Sequence, residues 1–65
     1  MTKREWMVVA WRINRTLDEL RMAAATVSGG GPAETAVADH LRIAFEALTA
    51  ARSEATREIP TARVE

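Results

Sequence analysis

One break in the middle of the chain constrains most strongly what its 65 residues can form. Ser28 is followed by the only three glycines of the sequence and then by Pro32. Glycine readily takes the left-handed conformation that ends a helix, and proline suits the first turn of a new one. The break therefore predicts two helices joined by a turn instead of one continuous helix.

On each side of the break, apolar residues recur in alternating steps of four and three, which places them on one face of a helix. Thr2 and Glu5 have the spacing of a capping box at the start of the first helix. Pro60 disfavours helix at the residue before it, so the second helix is expected to end near Glu58. The two stripes are Trp6, Ala10, Ile13, Leu17, Leu20, Ala24 and Val27, and then Val37, Leu41, Ala44, Leu48, Ala51 and Ala55.

The predicted fold is a single all-α domain over residues 1–65, an antiparallel two-helix hairpin. Two helices of nearly equal length with a short loop between them are expected to lie antiparallel. If the loop is centred between residues 30 and 31, facing residues have numbers that sum to 61, as Leu20 and Leu41 do. The expected elements are helix one over 3–28, the loop over 29–31, helix two over 32–58 and a tail over 59–65.

A chain of this size buries only about 60% of its unfolded surface, so the hairpin is expected to need further support. Cysteine is absent, so neither a disulfide nor a thiolate metal site can supply that support. Helix two carries a second apolar stripe, which predicts a homodimer in which two hairpins form a four-helix bundle. The residues expected to mediate self-association are Ala36, His40, Ile43, Phe45, Ala47 and Ala50.

Helix one carries an outward patch on the side opposite its core stripe. Trp11 and Arg15 lie one turn apart in it, so the guanidinium can stack on the indole. Trp, Arg and Met are enriched at protein interfaces, so the patch is predicted to bind a partner protein. The alternative is that a second copy of the hairpin covers Trp11. The patch comprises Arg4, Met7, Val8, Trp11, Arg15 and Met22.

The charges favour some partners over others. Nine Lys and Arg residues balance nine Asp and Glu residues, so the whole chain has no electrostatic reason to bind nucleic acid or an anionic membrane. Residues 1–28 contain five basic and three acidic residues, whereas residues 32–58 contain three basic and five acidic residues. The two helices are therefore expected to attract each other.

The apolar run from Trp6 to Trp11 is too short for a membrane span or for the core of a signal peptide. A cytoplasmic location without membrane association is therefore expected. The chain has eight Arg beside one Lys and is rich in Ala, a composition that suggests a GC-rich bacterial or phage genome.

The sequence offers no residues for catalysis or metal binding. His40 is the only histidine, and its neighbours three and four positions away carry no metal-ligating group. Ser28 and Ser53 lack a histidine in helical register, and the glycines are not followed by the Lys and Ser or Thr of a phosphate loop. The prediction is a protein that is not an enzyme and binds no cofactor or metal.

Two functional classes remain. The leading hypothesis is a small interaction module, a phage or bacterial regulator, inhibitor or assembly factor that self-associates and docks on a larger protein. The alternative is an RNA- or DNA-binding hairpin dimer, since the chain resembles the Rop family of RNA-binding bundles in length and hairpin plan, though it shares no sequence motif with it. The basic residues of such a surface would be Lys3, Arg4, Arg12 and Arg15, interrupted by Glu5, Asp18 and Glu19.

Overall fold

A computed structural model describes residues 1–64 and shows an all-helical chain, with no strand in that range. Helix α1 spans Lys3–Thr26 and helix α2 spans Pro32–Glu58, and a single 3-10 turn follows at Ile59–Thr61. The prediction of an all-α fold with two helices is confirmed. Neither α1 nor α2 contains the long apolar stretch that a helix needs to cross a bilayer.

Reciprocal hydrogen bonds fix the start of α1. The amide of Glu5 donates to the hydroxyl of Thr2 at 3.2 Å, and the amide of Thr2 donates to the carboxylate of Glu5 at 2.8 Å. This is the capping box that the sequence predicts. The hydrogen bond from the Thr2 amide stabilises the charged carboxylate and holds the pKa of Glu5 below its ordinary value.

Helix α1 ends at Thr26, two residues before the end that the sequence pattern indicates. Val27 has an extended backbone, although its amide still donates to the carbonyl of Ala23 at 3.2 Å. Gly29 takes a φ of 93°, a conformation that residues with a side chain rarely adopt. Gly31 and Pro32 then begin α2. The link between the helices, residues 27–31, is called the connection below.

The contacts between α1 and α2 run in antiparallel order, but in a different register from the expected one. The guanidinium of Arg52 donates to the side-chain oxygen of Asn14 at 2.6 Å. The guanidinium of Arg21 lies 5.1 Å from the ring centre of Phe45. In both pairs the residue numbers sum to 66, not to 61. The expected pairing is therefore wrong by more than one helical turn.

The length and shape of the connection explain this displacement. Extended residues advance about 3.3 Å each, whereas helical residues advance about 1.5 Å. The extended part of the connection therefore carries the chain beyond the end of α1 before the chain reverses. As a result, the connection lies beside the first turns of α2. Val27 and Ser28 accordingly line one groove together with Glu34 and Val37.

The interior of the hairpin is thin. Among the described residues, the buried hydrophobic side chains are Leu17 and Ala55, which are 1% and 2% exposed. Val37 is 46% exposed and lines the groove beside the connection. Ala24 and Ala51, also expected in the core, are exposed. The other expected core residues, Trp6, Ala10, Ile13, Leu20, Val27, Leu41, Ala44 and Leu48, are half-buried.

The end of the chain folds back onto its beginning. The amide of Lys3 donates to the carbonyl of Arg63 at 2.8 Å, and an isolated parallel bridge pairs Thr2 with Arg63. The tail expected over 59–65 thus begins with an ordered turn and contacts the start of α1. Glu65, the last residue of that tail, lies outside the described residues.

Candidate protein-binding surfaces

The hairpin leaves more surface open than a compact protein of its size. It measures 50 × 15 × 12 Å and has a radius of gyration of 15.2 Å, whereas a compact domain of this length has about 11 Å. Its accessible surface is 4892 Å², whereas a compact monomer of the same mass exposes about 4,100 Å². Much of the surface that a second layer of helices would cover is therefore accessible to solvent.

One open area, called the α1 surface below, lies on the side of α1 that faces away from α2. At its centre the guanidinium of Arg15 lies 5.1 Å from the ring centre of Trp11, as their spacing indicates. Trp11 is 56% exposed, and Met7 and Met22 are 53% and 64% exposed. The α1 surface comprises Arg4, Met7, Val8, Trp11, Arg15, Asp18 and Met22, all of them exposed.

Asp18 is the residue of the α1 surface that sequence reasoning missed. Arg4, Val8, Trp11, Arg15, Asp18 and Met22 follow one another in steps of four and three, the spacing of a helix-packing stripe. Asp18 was expected to interrupt a basic face of the helix, although this spacing is the signal that includes it in the stripe. A stripe of this kind fits along a neighbouring helix.

An open groove of about 620 Å³ runs along the same side of α1. Its lining combines one aromatic ring with charged groups of both signs, since Arg12 and Arg15 face it together with Glu19. Pockets for small ligands are mostly apolar and enclosed. A groove with exposed charges of both signs suits the side chains of another protein helix better.

The second open area, called the α2 stripe below, lies on the side of α2 that faces away from α1. Ile43 is 56% exposed in it. At 100° per residue, Ile43 and Ala47 point about half a turn away from Phe45, which contacts α1. The α2 stripe comprises Ala36, His40, Ile43, Ala47 and Ala50, which also recur in steps of four and three and are all exposed.

The structure separates Phe45 from the other residues expected to mediate self-association. Phe45 is half-buried, and its ring lies under the guanidinium of Arg21. It also lines a groove of about 220 Å³ between the helices, together with Leu20 and Leu41. Phe45 therefore belongs to the contact between α1 and α2.

The four basic residues considered for nucleic-acid binding do not form a continuous basic surface. Lys3 is half-buried, and its amide is bonded to the end of the chain. Arg12 and Arg15 share their groove with Glu19, and Arg15 lies on Trp11. The groove is therefore mixed in charge.

Potential metal ligands do not cluster. Within residues 1–64, no three His, Cys, Asp or Glu side chains lie close enough to hold a metal ion together. His40 stands in the α2 stripe among alanines.

The chain was compared with protein-family models, with curated proteins and with solved structures, and none of them matches it.

Proposed function

We propose that the chain is a small, non-catalytic, cytoplasmic interaction module, a phage or bacterial regulator, inhibitor or assembly factor that self-associates and docks on a larger protein. The observation that carries the proposal is the exposure of Trp11 at the centre of the α1 surface. Leaving a large apolar side chain in water forgoes on the order of 2 to 3 kcal/mol of burial. Exposed Trp beside Arg and Met is typical of the residues that dominate protein interfaces.

Two open faces support two simultaneous contacts. The α1 surface and the α2 stripe lie on opposite edges of the hairpin, so a second copy on one face leaves the other accessible. Self-association of two hairpins gives a four-helix assembly, and twofold dimers are the commonest closed oligomers. Such a dimer adds the apolar burial that a core of Leu17 and Ala55 does not supply alone.

Affinity capture with three matched variants tests the proposal. Trp11→Ala alters the α1 surface, Ala47→Glu alters the α2 stripe, and Arg42→Ala alters an exposed residue outside both. Wild type and Arg42→Ala are expected to retain the same larger protein from the native host, in stoichiometric amount. One of the two face variants is expected to lose it while remaining helical by circular dichroism. Identical retention by all four proteins would contradict the proposal.

The alternative, a Rop-like RNA- or DNA-binding dimer, has less support because Arg12 and Arg15 share their groove with Glu19. Salt distinguishes the two functions. Neutralising phosphates makes affinity fall steeply as salt increases, whereas docking of a larger protein on an apolar face such as the α2 stripe responds weakly. A steep salt slope with a nucleic-acid ligand would favour the alternative.

A further inference from the structure

The order of charges along the α1 surface fits a second copy of the same chain. We infer that two molecules pack through their α1 surfaces, antiparallel and related by a twofold axis. The inference rests on the self-association in the proposed function and names the face that mediates it. It takes up the alternative that a second copy covers Trp11, and it leaves the α2 stripe for the larger protein.

A twofold antiparallel helix pair has a simple rule of contact, since facing residues have numbers with a constant sum and every contact occurs twice. With a sum of 33, Arg15 faces Asp18 of the second copy, and Trp11 faces Met22 of the second copy. Val8 then faces Ala25 of the second copy. The register thus pairs opposite charges at the centre and apolar side chains on either side.

Charged residues beside the stripe favour the same register. Arg12 and Glu19 line the groove next to Trp11 and Arg15. In the antiparallel pair Arg12 comes beside Glu19 of the second copy, so two further ion pairs flank the central two. Thioether sulfur also packs favourably at the edge of an aromatic ring, as Met22 does against Trp11 in this arrangement.

Neighbouring registers are less complementary. A shift to a sum of 26 places Val8 against Asp18 of the second copy, which sets an apolar side chain against a charge. A sum of 30 places Arg15 against Arg15 of the second copy, and like charges at such a contact are destabilising. Among these alternatives, the sum of 33 is the register that matches both charge and polarity.

Contacts within one chain already hold the central charges in place. The guanidinium of Arg15 lies over the Trp11 ring, and the carboxylate of Asp18 accepts from Arg21 at 3.1 Å. The Asp18 side chain is still 70% exposed, so it remains accessible to a second guanidinium. The side of α1 beside Trp11 and Arg15 is open to solvent, so a second helix can approach it.

Charge reversal at the central pair tests the inference. Arg15→Asp makes both central positions acidic, and Asp18→Arg makes both basic, so each variant repels its own copy. Each alone is expected to self-associate more weakly than wild type by roughly tenfold or more. An equimolar mixture is expected to recover association as a heterodimer, and the double variant is expected to recover it as a homodimer. Sedimentation velocity measures all four samples.

The outcomes are separable. A wild-type chain that stays monomeric throughout the micromolar range would overturn the self-association in the proposed function itself. A wild-type dimer that tolerates both reversals but dissociates in Ala47→Glu would place the interface on the α2 stripe and overturn only this inference. Weakened single variants that fail to recover on mixing would overturn the register. Arg42→Asp, a reversal at an exposed residue outside both faces, is the control and is expected to leave the dimer intact.

The flanking pair provides a second route if a central variant does not fold. Arg12→Glu and Glu19→Arg are predicted to behave as the central variants do, each weakened alone and recovered on mixing. Circular dichroism establishes that each chain remains helical. Failure of the mixture of these folded variants to associate would also count against the proposed pairing.

Discussion

The inner and outer faces of α1 share one residue spacing and have opposite surroundings. Leu17, on the inner face, is 1% exposed, whereas Trp11, on the outer face, is 56% exposed. Both belong to stripes with steps of four and three. The comparison shows that residue spacing identifies a helix face that can pack against another helix. The chemistry of the side chains on that face indicates what packs there. The inner stripe is apolar throughout, and the outer stripe alternates apolar residues with charges of both signs.

The largest expected effect separates the two faces of α1 by stability. Leu17→Ala removes a buried side chain from a thin core and is expected to destabilise the hairpin by about 2 to 5 kcal/mol. Trp11→Ala is expected to change the stability of the monomer by less than about 0.5 kcal/mol, because the monomer does not bury this ring. Urea unfolding at protein concentrations too low for association measures both. Equal destabilisation by the two variants would show that the hairpin itself buries Trp11.

A smaller effect concerns the connection, which sets the register of the inner face. Gly29→Ala places a side chain at a φ of 93° and is expected to cost about 1 to 2 kcal/mol. Gly30→Ala is the control, because a Cβ there meets no atom within 4 Å and its φ is not positive. Thermal unfolding compares the two variants. Equal stability of both would mean that Gly29 does not need the left-handed conformation in solution.

The capping box at the start of α1 is expected to contribute about as much as a typical helix cap. Thr2→Ala should destabilise the protein by about 1 kcal/mol. Because the folded pKa of Glu5 is lowered, its stabilisation is present above its unfolded pKa and is lost as pH falls through the folded value. Glu5→Gln should lack that acid-dependent loss. Identical acid titrations of wild type and Glu5→Gln, followed by circular dichroism, would contradict the capping account.

The smallest effect tests the register of the hairpin directly. A double-mutant cycle between Asn14→Ala and Arg52→Ala should show a coupling of about 0.5 to 1 kcal/mol, because the two side chains share a hydrogen bond of 2.6 Å. A cycle between Asn14→Ala and Arg57→Ala should show none. Absence of coupling in the first pair would argue against the observed register.

The sequence predicted the features of this fold that depend on local chemistry. The capping box of Thr2 and Glu5 and the break at Gly29 to Pro32 involve residues close together in the chain, so pattern reasoning found both helices. The register depends on how far an extended connection carries the chain before α2 begins. The distance that the connection covers is set by the end of α1 at Thr26. No residue pattern in the sequence indicated that α1 ends there.

The candidate surfaces were predictable to a similar degree. The residues expected to bind a partner through helix one are exposed together, because they lie on one helix face. Phe45 was expected to mediate self-association from the flank of α2 opposite the other five residues of that set. In the observed register Phe45 and Arg52 contact α1 instead.

The emission of Trp11 tests the central claim, that the α1 surface lies outside the hairpin core and is covered by a second copy. In a Trp6→Phe chain, Trp11 is the only tryptophan. Its emission is predicted to be blue-shifted at concentrations where sedimentation shows a dimer, and to shift red on dilution to the monomer. Blue emission that persists in the monomer, or red emission in the dimer, would contradict the account.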